Sequence, residues 1–441
     1  MADKVADKVA DKPVGAVGVW SATLLGIGAM VGAGIFALMG EAGAVAGNAA
    51  YLSFLFGGAV ALLSGYSLAR LGARYPAAGG IVEYLVQAYG EGVFSGGVSI
   101  VLYVAALVSL TLVAQAFGSY AGALFFARPA PLSVDLLAAA VILMFVAVNL
   151  RGAGKVAVVE NVIVAVKLGF LVAFAAAGLA YLKPELLAPQ DYPPGGAVLA
   201  SIGVTFFAYE GFRVITNAAE DMPQPSKTLP RAIFAAILVV MLLYVVLAVA
   251  LFGNLPVARV VEAKEYALAE AARPAFGATG FTVVAVMAMI STASAINAGL
   301  YAATNVTYQL AKDGELPQAF GRPIGRSREG LLISSAIIIV LVFAFDLGQI
   351  AVIGSVTVLL VHAVVHIGHL TRLRRETGAS AVLLLLAVLA NAAAVAFVAS
   401  FEVGRRPGVL LYIACFVAAG FAAELVLQRL RRRTIKARTP A

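Results

Sequence analysis

The sequence predicts an all-α membrane protein with twelve transmembrane helices. Hydrophobic residues fill 62% of its 441 positions and charged residues only 12%, whereas soluble domains carry about a quarter charged residues. Apolar runs of about 18 or more residues recur along the chain, a length that suits helices and exceeds what barrel strands need to cross a bilayer. This composition excludes an ordinary cytosolic enzyme.

Turn residues and charges between the apolar runs define the predicted spans. The spans begin near Val17, Asn48, Val93, Leu132, Ala157, Ala197, Ala232, Ala278, Leu331, Gln349, Ala381 and Val409. The segment from Tyr75 to Tyr89, between the second and third spans, contains Pro76, Gly79 and Gly80 and has mixed polarity. We therefore predict that it lies on the surface as an amphipathic segment.

Basic residues are distributed unevenly between the two sides of the predicted bundle. With the N-terminus inside, cytoplasmic segments carry 22 of the 31 lysines and arginines, and external segments carry 7. The positive-inside rule then predicts a multi-pass protein of the cell membrane with both termini in the cytoplasm. Because no basic domain is formed, the expected partner of these residues is the lipid bilayer and not nucleic acid. The single cysteine, Cys415, lies in an apolar span and provides no disulfide framework.

Four glycines fall within nine residues of the first span: Gly26, Gly28, Gly32 and Gly34. Glycine destabilises a helix interior by about 1 kcal/mol relative to alanine, so several together predict local unwinding. Unwinding would free backbone amides at the start of the following half-helix. The dipole is positive there, and a carboxylate can bind.

A second weak point, at Tyr209, Glu210 and Gly211, lies in the sixth span, five spans after the first. Interrupted helices at corresponding positions of two five-helix halves indicate an inverted-repeat transporter with a binding site at the membrane midplane. The alternative is that the glycines only let helices pack closely, as the four-residue spacing of Gly28 and Gly32 permits.

Lys167 lies in the middle of the apolar stretch from Ala157 to Leu179. A charge at that depth costs about 3 kcal/mol on insertion scales and usually marks an ion or proton path. The alternative is a lysine whose ammonium reaches the surface along its helix, but Lys167 is too deep in the span for that. Together with the two weak points, it indicates a proton-linked carrier.

Three stretches carry a resemblance to a known family. Residues 26–36 (GIGAMVGAGIF), 211–220 (GFRVITNAAE) and 311–317 (AKDGELP) occur in this order. They resemble the amino acid–polyamine–organocation (APC) superfamily, and within it the archaeal proton-coupled amino acid transporters. The resemblance implies a LeuT-type fold with inverted repeats at 15–185 and 190–376. It further implies two extra helices at 379–430, a cytoplasmic leader at 1–14 and a basic tail at 431–441.

The resemblance also implies roles for particular residues in binding an amino acid. Backbone amides would hold the substrate carboxylate at Gly32, Ala33 and Gly34. Backbone carbonyls would accept from its ammonium group at Phe207, Ala208 and Glu210. An aromatic side chain of the sixth span would close over the substrate, with Phe207 and Tyr209 as the candidates.

The same resemblance implies a proton-linked site around Lys167. This lysine matches a fifth-span residue that stands where sodium-driven relatives bind an ion. Its ammonium would contact first-span carbonyls near Gly28 or Ala29 and the hydroxyl of Ser294. A fixed ammonium can replace a sodium ion, and burial favours release of its proton.

Two groups of titratable residues are left with open interpretations. Glu210 could receive a cationic substrate, couple a second proton or support the unwound backbone. All three histidines, His362, His366 and His369, share one face of the tenth span. They could bind metal, tune the pH response or make simple hydrogen bonds, but no cysteine or nearby acid completes a metal site. No metal and no cofactor is expected.

These features predict a proton-coupled secondary transporter that imports amino acids by alternating access. An amino acid or amine exchanger of the same fold is the alternative. A non-transporting receptor or a membrane enzyme belongs to a different class. The sequence contains no His-Glu-x-x-His, Gly-x-Ser-x-Gly or phosphate-loop pattern, so we predict that the protein is not an enzyme.

Overall fold

The computed structural model describes residues 17–126, 128–151, 156–312 and 316–431. Within these ranges the chain is almost entirely helical. The α-helices are α1 (Val19–Ala46), α2 (Ala50–Arg74), α3 (Ile81–Tyr89), α4 (Val93–Phe125), α5 (Pro131–Arg151), α6 (Val156–Ala180), α7 (Gly195–Tyr209), α8 (Pro225–Phe252), α9 (Val257–Ala263), α10 (Ala267–Glu270), α11 (Arg273–Lys312), α12 (Glu329–Ala344), α13 (Leu347–Gly368), α14 (Arg374–Thr377), α15 (Ala381–Arg405) and α16 (Pro407–Arg431). The predicted leader and nearly all of the predicted basic tail lie outside the described residues.

Shorter elements connect these helices. A two-stranded antiparallel hairpin pairs Pro323–Ile324 (β1) with Ser327–Arg328 (β2). Short 3₁₀ turns lie at Gly47–Ala49, Pro184–Leu187, Pro189–Asp191, Lys264–Tyr266 and Gln318–Gly321, a longer 3₁₀ segment at Glu210–Asp221, and a π-helical turn at His369–Leu373.

Ten helical stretches in the described ranges are long and apolar enough to cross a membrane. The predicted fold class, an all-α membrane protein, is therefore confirmed. Most helices begin within a few residues of the predicted starts. The largest difference is at α8, which begins at Pro225 and not near Ala232. Proline is compatible with the first turn of a helix. The helix therefore includes the polar residues that precede the apolar run.

The bundle has an inner and an outer set of helices. Helices α4, α7 and α13 are mostly buried, whereas α5, α6, α15 and α16 bury only a small share of their apolar surface. On the outer helices, rows of large apolar side chains face outward, such as Leu136 and Leu143 on α5 and Val162 and Val166 on α6. These rows suit contact with the acyl chains of a bilayer. A segment can face lipid only when its backbone polar groups are hydrogen-bonded internally, as they are in a helix.

The amphipathic segment predicted for the surface is instead a buried helix, α3. Its Ile81, Tyr84 and Leu85 side chains are almost completely inaccessible, and the helix packs against α4 and α13. The prediction of a surface position was wrong because the apolar face of this amphipathic helix packs into the bundle. Among its polar residues, Gln87 donates to Glu83 at 2.8 Å.

Candidate functional site

Helix α1 is not interrupted at its glycines. It runs without a gap from Val19 to Ala46, so the predicted unwinding of the first span is wrong for this conformation. Glycine permits unwinding but does not force it, and packing holds these residues helical. A side chain at Gly26 would lie 2.4 Å from Ile215, and one at Gly32 would lie 2.5 Å from Ala295. The close-packing interpretation therefore accounts for the glycines in the structure.

The weak point predicted in the sixth span is present. Helix α7 ends at Tyr209, and the chain continues as the 3₁₀ segment Glu210–Asp221. A 3₁₀ run of this length is unusual and often marks a hinge or a functional site. The change in helix type begins at Glu210, one residue before Gly211.

Helix α1 and the α7 junction touch backbone to backbone at two glycines. A Cβ at Gly34 would lie 2.5 Å from the carbonyl oxygen of Ala208. A Cβ at Gly211 would lie 2.5 Å from the amide nitrogen of Met30 and 2.6 Å from the carbonyl carbon of Ala29. Only glycine permits such an approach. The two segments that the sequence singled out therefore meet in the centre of the bundle.

Three carbonyls in the middle of α1 accept hydrogen bonds from side chains of other helices. Lys167 Nζ on α6 donates to Gly28 at 2.9 Å. Tyr244 Oη on α8 donates to Met30 at 2.7 Å and approaches the carbonyl of Ala208 at 3.4 Å. Ser291 Oγ on α11 donates to Val31 at 3.3 Å. This part of α1 is thus held from three sides by polar groups.

Tyr244 and Ser291 were not among the predicted site residues. Both are buried within long apolar helices, and a polar side chain in such a helix usually has a buried partner. The sequence shows these polar residues within apolar runs, but it does not show which groups they contact. The contacts with α1 depend on how the helices cross.

Lys167 is the only one of the predicted proton-site residues that carries a charge, and its side chain is 1% exposed. Its neighbour Val166 is 56% exposed, so α6 turns one face outward and brings Lys167 inward against α1. Burying an ammonium costs several kcal/mol unless it is hydrogen-bonded. The hydrogen bond to the Gly28 carbonyl meets part of that requirement. Val164, which is also on α6, packs so closely on Gly28 that no side chain would fit at position 28.

Glu210 lies at the start of the 3₁₀ segment and is buried. One carboxylate oxygen, Oε1, accepts a charge-assisted hydrogen bond from Arg213 Nε. The other, Oε2, lies 3.5 Å from Nε2 of His362 on α13. Glu210 is therefore paired with an arginine of its own 3₁₀ segment. The ion pair with Arg213 does not account for the second carboxylate oxygen, which faces His362.

The remaining predicted residues occupy the same region or its border. Phe207 is nearly buried, and its ring reaches within 2.5 Å of where a Gly354 side chain would be. Tyr209 is fully buried, and its hydroxyl donates to the Phe54 carbonyl at 2.8 Å. That bond ties Tyr209 to α2, which favours Phe207 over Tyr209 as a mobile gate. Ser294 is buried on α11.

Ala33 belongs to the α1 helix, but its side chain lies outside the described part of the chain. Its backbone amide, with those of Gly32 and Gly34, is inside a continuous helix. In this conformation the three amides are consequently not free to bind a carboxylate. Their predicted role requires α1 to open locally.

Comparison with known proteins identifies the family. A family model described as amino acid permease matches residues 17–421. The chain belongs to the amino acid permease family. The inner membrane transport protein YbaT of Escherichia coli is 36% identical to this permease over 378 residues, which is 85% of the chain and 87% of YbaT. Two Bacillus subtilis proteins are also similar: the methylthioribose transporter (30% identical, 68% of each chain) and the serine/threonine exchanger SteT (29% identical, 69% of each chain).

The resemblance to the APC superfamily is thereby confirmed, and the permease is an amino acid transporter with many membrane-crossing helices. The family matches the whole region in which α1, α7 and Lys167 meet. The chemistry available there consists of backbone groups close to a helix junction, one buried ammonium and one buried carboxylate.

Proposed function

We propose that this permease is a proton-coupled secondary transporter that imports amino acids by alternating access. The observation that carries the proposal is Lys167, a buried ammonium bonded to a carbonyl of α1 at the level where α1 meets the end of α7. A charge in the membrane interior is costly and normally functional. The bond holds that charge against α1, the helix whose glycines allow movement.

Helix packing supports a LeuT-type arrangement of two inverted five-helix repeats. The first set comprises α1, α2, α4, α5 and α6, and the second comprises α7, α8, α11, α12 and α13. A two-fold relation requires that partners exchange between sets. The first helix of each set contacts the second of the other (α1 with α8, α7 with α2). The third helix of each set contacts the fourth helix of the other set (α4 with α12, α11 with α5). The third helix of each set also contacts the fifth helix of the other set (α4 with α13, α11 with α6).

In the proposed site, the amino acid binds where α1 and α7 approach each other. Local opening of α1 at Gly32, Ala33 and Gly34 exposes amides to the substrate carboxylate, and glycine makes such opening inexpensive. Carbonyls at the end of α7 accept from the substrate ammonium. Tyr244, which bonds Met30 and lies near the Ala208 carbonyl, has to release at least one of these contacts when α1 opens.

Lys167 supplies the proton step. When protonated, it braces α1 through the Gly28 carbonyl, and the resemblance adds Ala29 and the Ser294 hydroxyl of α11 to its partners. Loss of the proton removes the cationic donor and weakens the brace, so the equilibrium between access states shifts. Because the proton is released to the side that the site then faces, a proton gradient drives net import.

Exchange is the second candidate function, and one observation favours it. SteT, at 29% identity, is named as a serine/threonine exchanger. An exchanger needs no net proton movement, so counterflow without a pH gradient would be as fast as gradient-driven uptake. The methylthioribose transporter is named for a substrate that is not an amino acid, which leaves the substrate side-chain pocket as the variable part of the site.

We further propose that the permease resides in the cell membrane with both termini in the cytoplasm. The excess of lysine and arginine on one side of the predicted bundle supports this orientation. The basic ends of α2 and α14, at Arg74 and Arg374, would then be cytoplasmic.

The test is uptake of radiolabelled amino acids into liposomes that contain the purified permease. We expect saturable uptake that rises when the interior is more alkaline than the exterior and that stops with a protonophore. Counterflow at equal pH, measured in the same preparation, separates import from exchange. Saturable uptake that is indifferent to the gradient would favour the exchanger, and binding without uptake would indicate a receptor.

A further inference from the structure

A line of buried titratable side chains extends from Glu210 along one face of α13 and into the π-helical turn that follows it. It contains all three histidines of the chain, His362, His366 and His369, and each has no accessible surface. We call Glu210 and these histidines the histidine file. The three histidines follow one another at intervals of one helical turn, and Glu210 faces the first of them from the α7 junction, so the four residues form a row.

The inner end of the file contains polar atoms without hydrogen bonds. Glu210 Oε2 and His362 Nε2 are 3.5 Å apart. Neither atom, nor Nδ1 of His362, has a hydrogen-bond partner among the described residues. Leaving a buried polar group unsatisfied is costly, and such groups in a native protein require an explanation. Phe206 and Phe212 pack edge-on against the His362 ring, with centroids 5.6 and 5.8 Å away.

The middle of the file is lined by imidazole and hydroxyl groups. The rings of His362 and His366 are 5.6 Å apart, centroid to centroid. His366 Nε2 lies 3.0 Å from Ser64 Oγ, and His369 Nδ1 lies 2.8 Å from Ser67 Oγ. Ser64 and Ser67 are one turn apart on α2, so two imidazole–hydroxyl pairs lie side by side between α13 and α2.

The outer end of the file reaches a cleft. His369 Nε2 lies 2.8 Å from Thr377 Oγ1. Thr377 lines a cleft of about 460 Å³ together with Arg70, Arg74 and Glu376. At the edge of this cleft Tyr75 donates to Glu376 at 2.6 Å, and burial raises the pKa of the Tyr75 hydroxyl to about 12, so it remains a donor at neutral pH.

We propose that the histidine file is a second proton path, which links the candidate substrate site at Glu210 with the cleft beside Thr377. This inference rests on the proposed function, because a proton path matters only if transport moves protons. In this proposal the three histidines carry protons between Glu210 and the cleft, whereas Lys167 governs the movement of α1. In the proposed orientation the cleft faces the cytoplasm.

Each step of the path changes only N–H and O–H bonds. A proton held by Glu210 passes to Nε2 of His362. An imidazole that gains a proton at one nitrogen releases another from its second nitrogen, so the charge moves on to His366. Two steps, from His362 to His366 and from the His366–Ser64 pair to the Ser67–His369 pair, each require a ring rotation or one bridging water. Ser64, Ser67 and Thr377 then provide hydroxyls that accept and donate in turn.

The groups that face the file from neighbouring elements limit its charge. Arg213 contacts Glu210 and acts electrostatically on His362, and Arg70 of α2 acts on His369. Asn391 of α15 donates to Ser64 at 3.1 Å, and Tyr89 of α3 donates to the Val364 carbonyl at 2.7 Å. With an arginine near each end, two protonated histidines at once are unfavourable, so protons pass singly.

Other charges near α13 belong to different contacts. Glu41 of α1 pairs with Lys264 at 2.8 Å. Glu424 of α16 lies against Gly96 of α4, and α4 itself contains no charged residue.

The test compares two transport modes in liposomes that contain a pH-sensitive dye. Gradient-driven uptake moves protons, whereas counterflow at equal pH moves no net proton. We expect His366→Gln and His369→Gln to reduce gradient-driven uptake and the dye signal at least tenfold. Counterflow should change less than threefold in both. Thr357→Val is the matched control, because Thr357 is a buried polar residue on the same helix outside the file, and it should leave both modes near wild type.

Three outcomes decide the matter. Wild-type uptake and dye signal in both histidine variants would overturn the proton path and leave the proposed function intact. If His366→Gln does not fold, as loss of counterflow would indicate, His369→Gln at the open end decides by the same comparison. A wild-type permease without any gradient dependence would instead overturn the proposed function, and the path with it.

Discussion

Hydrogen bonds to the carbonyls of α1 distinguish this region at the scale of single residues. Lys167, Tyr244 and Ser291 each come from a different helix and each bond a carbonyl near the glycines. These bonds therefore hold α1 in one conformation and can be exchanged for bonds to a substrate.

We predict that Tyr244→Phe weakens the hold on α1. The change removes a hydroxyl bonded to the Met30 carbonyl at 2.7 Å, and loss of such a bond typically costs about 1 kcal/mol. The melting temperature of the purified protein should fall, and substrate should restore part of the loss by mass action. Tyr412→Phe is the control, since Tyr412 is 40% exposed. Equal melting temperatures for the two variants would contradict the assigned role.

At the scale of elements, the junction between α7 and the 3₁₀ segment is fixed by contact with α1. Gly211 lies against backbone atoms of Ala29 and Met30, which cannot rotate aside as a side chain can. The junction is thus a close crossing of two helices as well as a change of helix type.

Gly211→Ala should be strongly harmful, and Gly169→Ala should not. A Cβ at position 211 would lie 2.5 Å from the Met30 nitrogen, and overpacking of this kind costs about 1–3 kcal/mol. At Gly169, in the interior of α6, nothing lies within 4 Å of an added Cβ, and alanine is the better helix former by about 1 kcal/mol. Thermal melting and uptake of both variants provide the measurement. A Gly211→Ala protein as stable and active as wild type would refute the close crossing.

The sequence was sufficient to predict the helices but not the contacts between them. Apolar runs predicted the long helices because hydrophobic length is a local property, and Gly211 marked the α7 junction. The unbroken α1 was missed, because whether a glycine-rich helix unwinds depends on neighbours such as Ile215 and Ala295. Glu210 and Arg213 are only three residues apart in the chain, but their ion pair was not predicted. The proximity of Glu210 to His362 joins residues that are far apart in sequence.

At the scale of the whole molecule, the proposed arrangement relates two sets of five helices through the contacts that they exchange. Helices α1, α7 and α13 carry most of the candidate site and the histidine file, the outer helix α6 contributes Lys167 to the site, and the outer helices present apolar side chains to lipid. Movement of the inner helices against the outer ones could then open the site to either side without exposing backbone to the bilayer.

Cysteine labelling tests the proposed orientation. Cys415 is the single cysteine, so Cys415→Ser gives a background for new positions. Lys183→Cys and Arg375→Cys place thiols at exposed positions on opposite predicted sides. A membrane-impermeant maleimide should label position 183 in intact cells and position 375 only after permeabilisation. The reverse pattern would invert the assignment of both termini.

The most direct measurement of the central claim is the pH dependence of uptake by Lys167→Met, with Lys183→Met as the matched control. Methionine keeps much of the side-chain length but cannot bind a proton or donate to Gly28. We predict that Lys167→Met loses the response of uptake to an imposed proton gradient, and that Lys183→Met, altered at an exposed lysine beyond the end of α6, keeps it. Gradient-dependent uptake of wild-type magnitude in Lys167→Met would contradict the account.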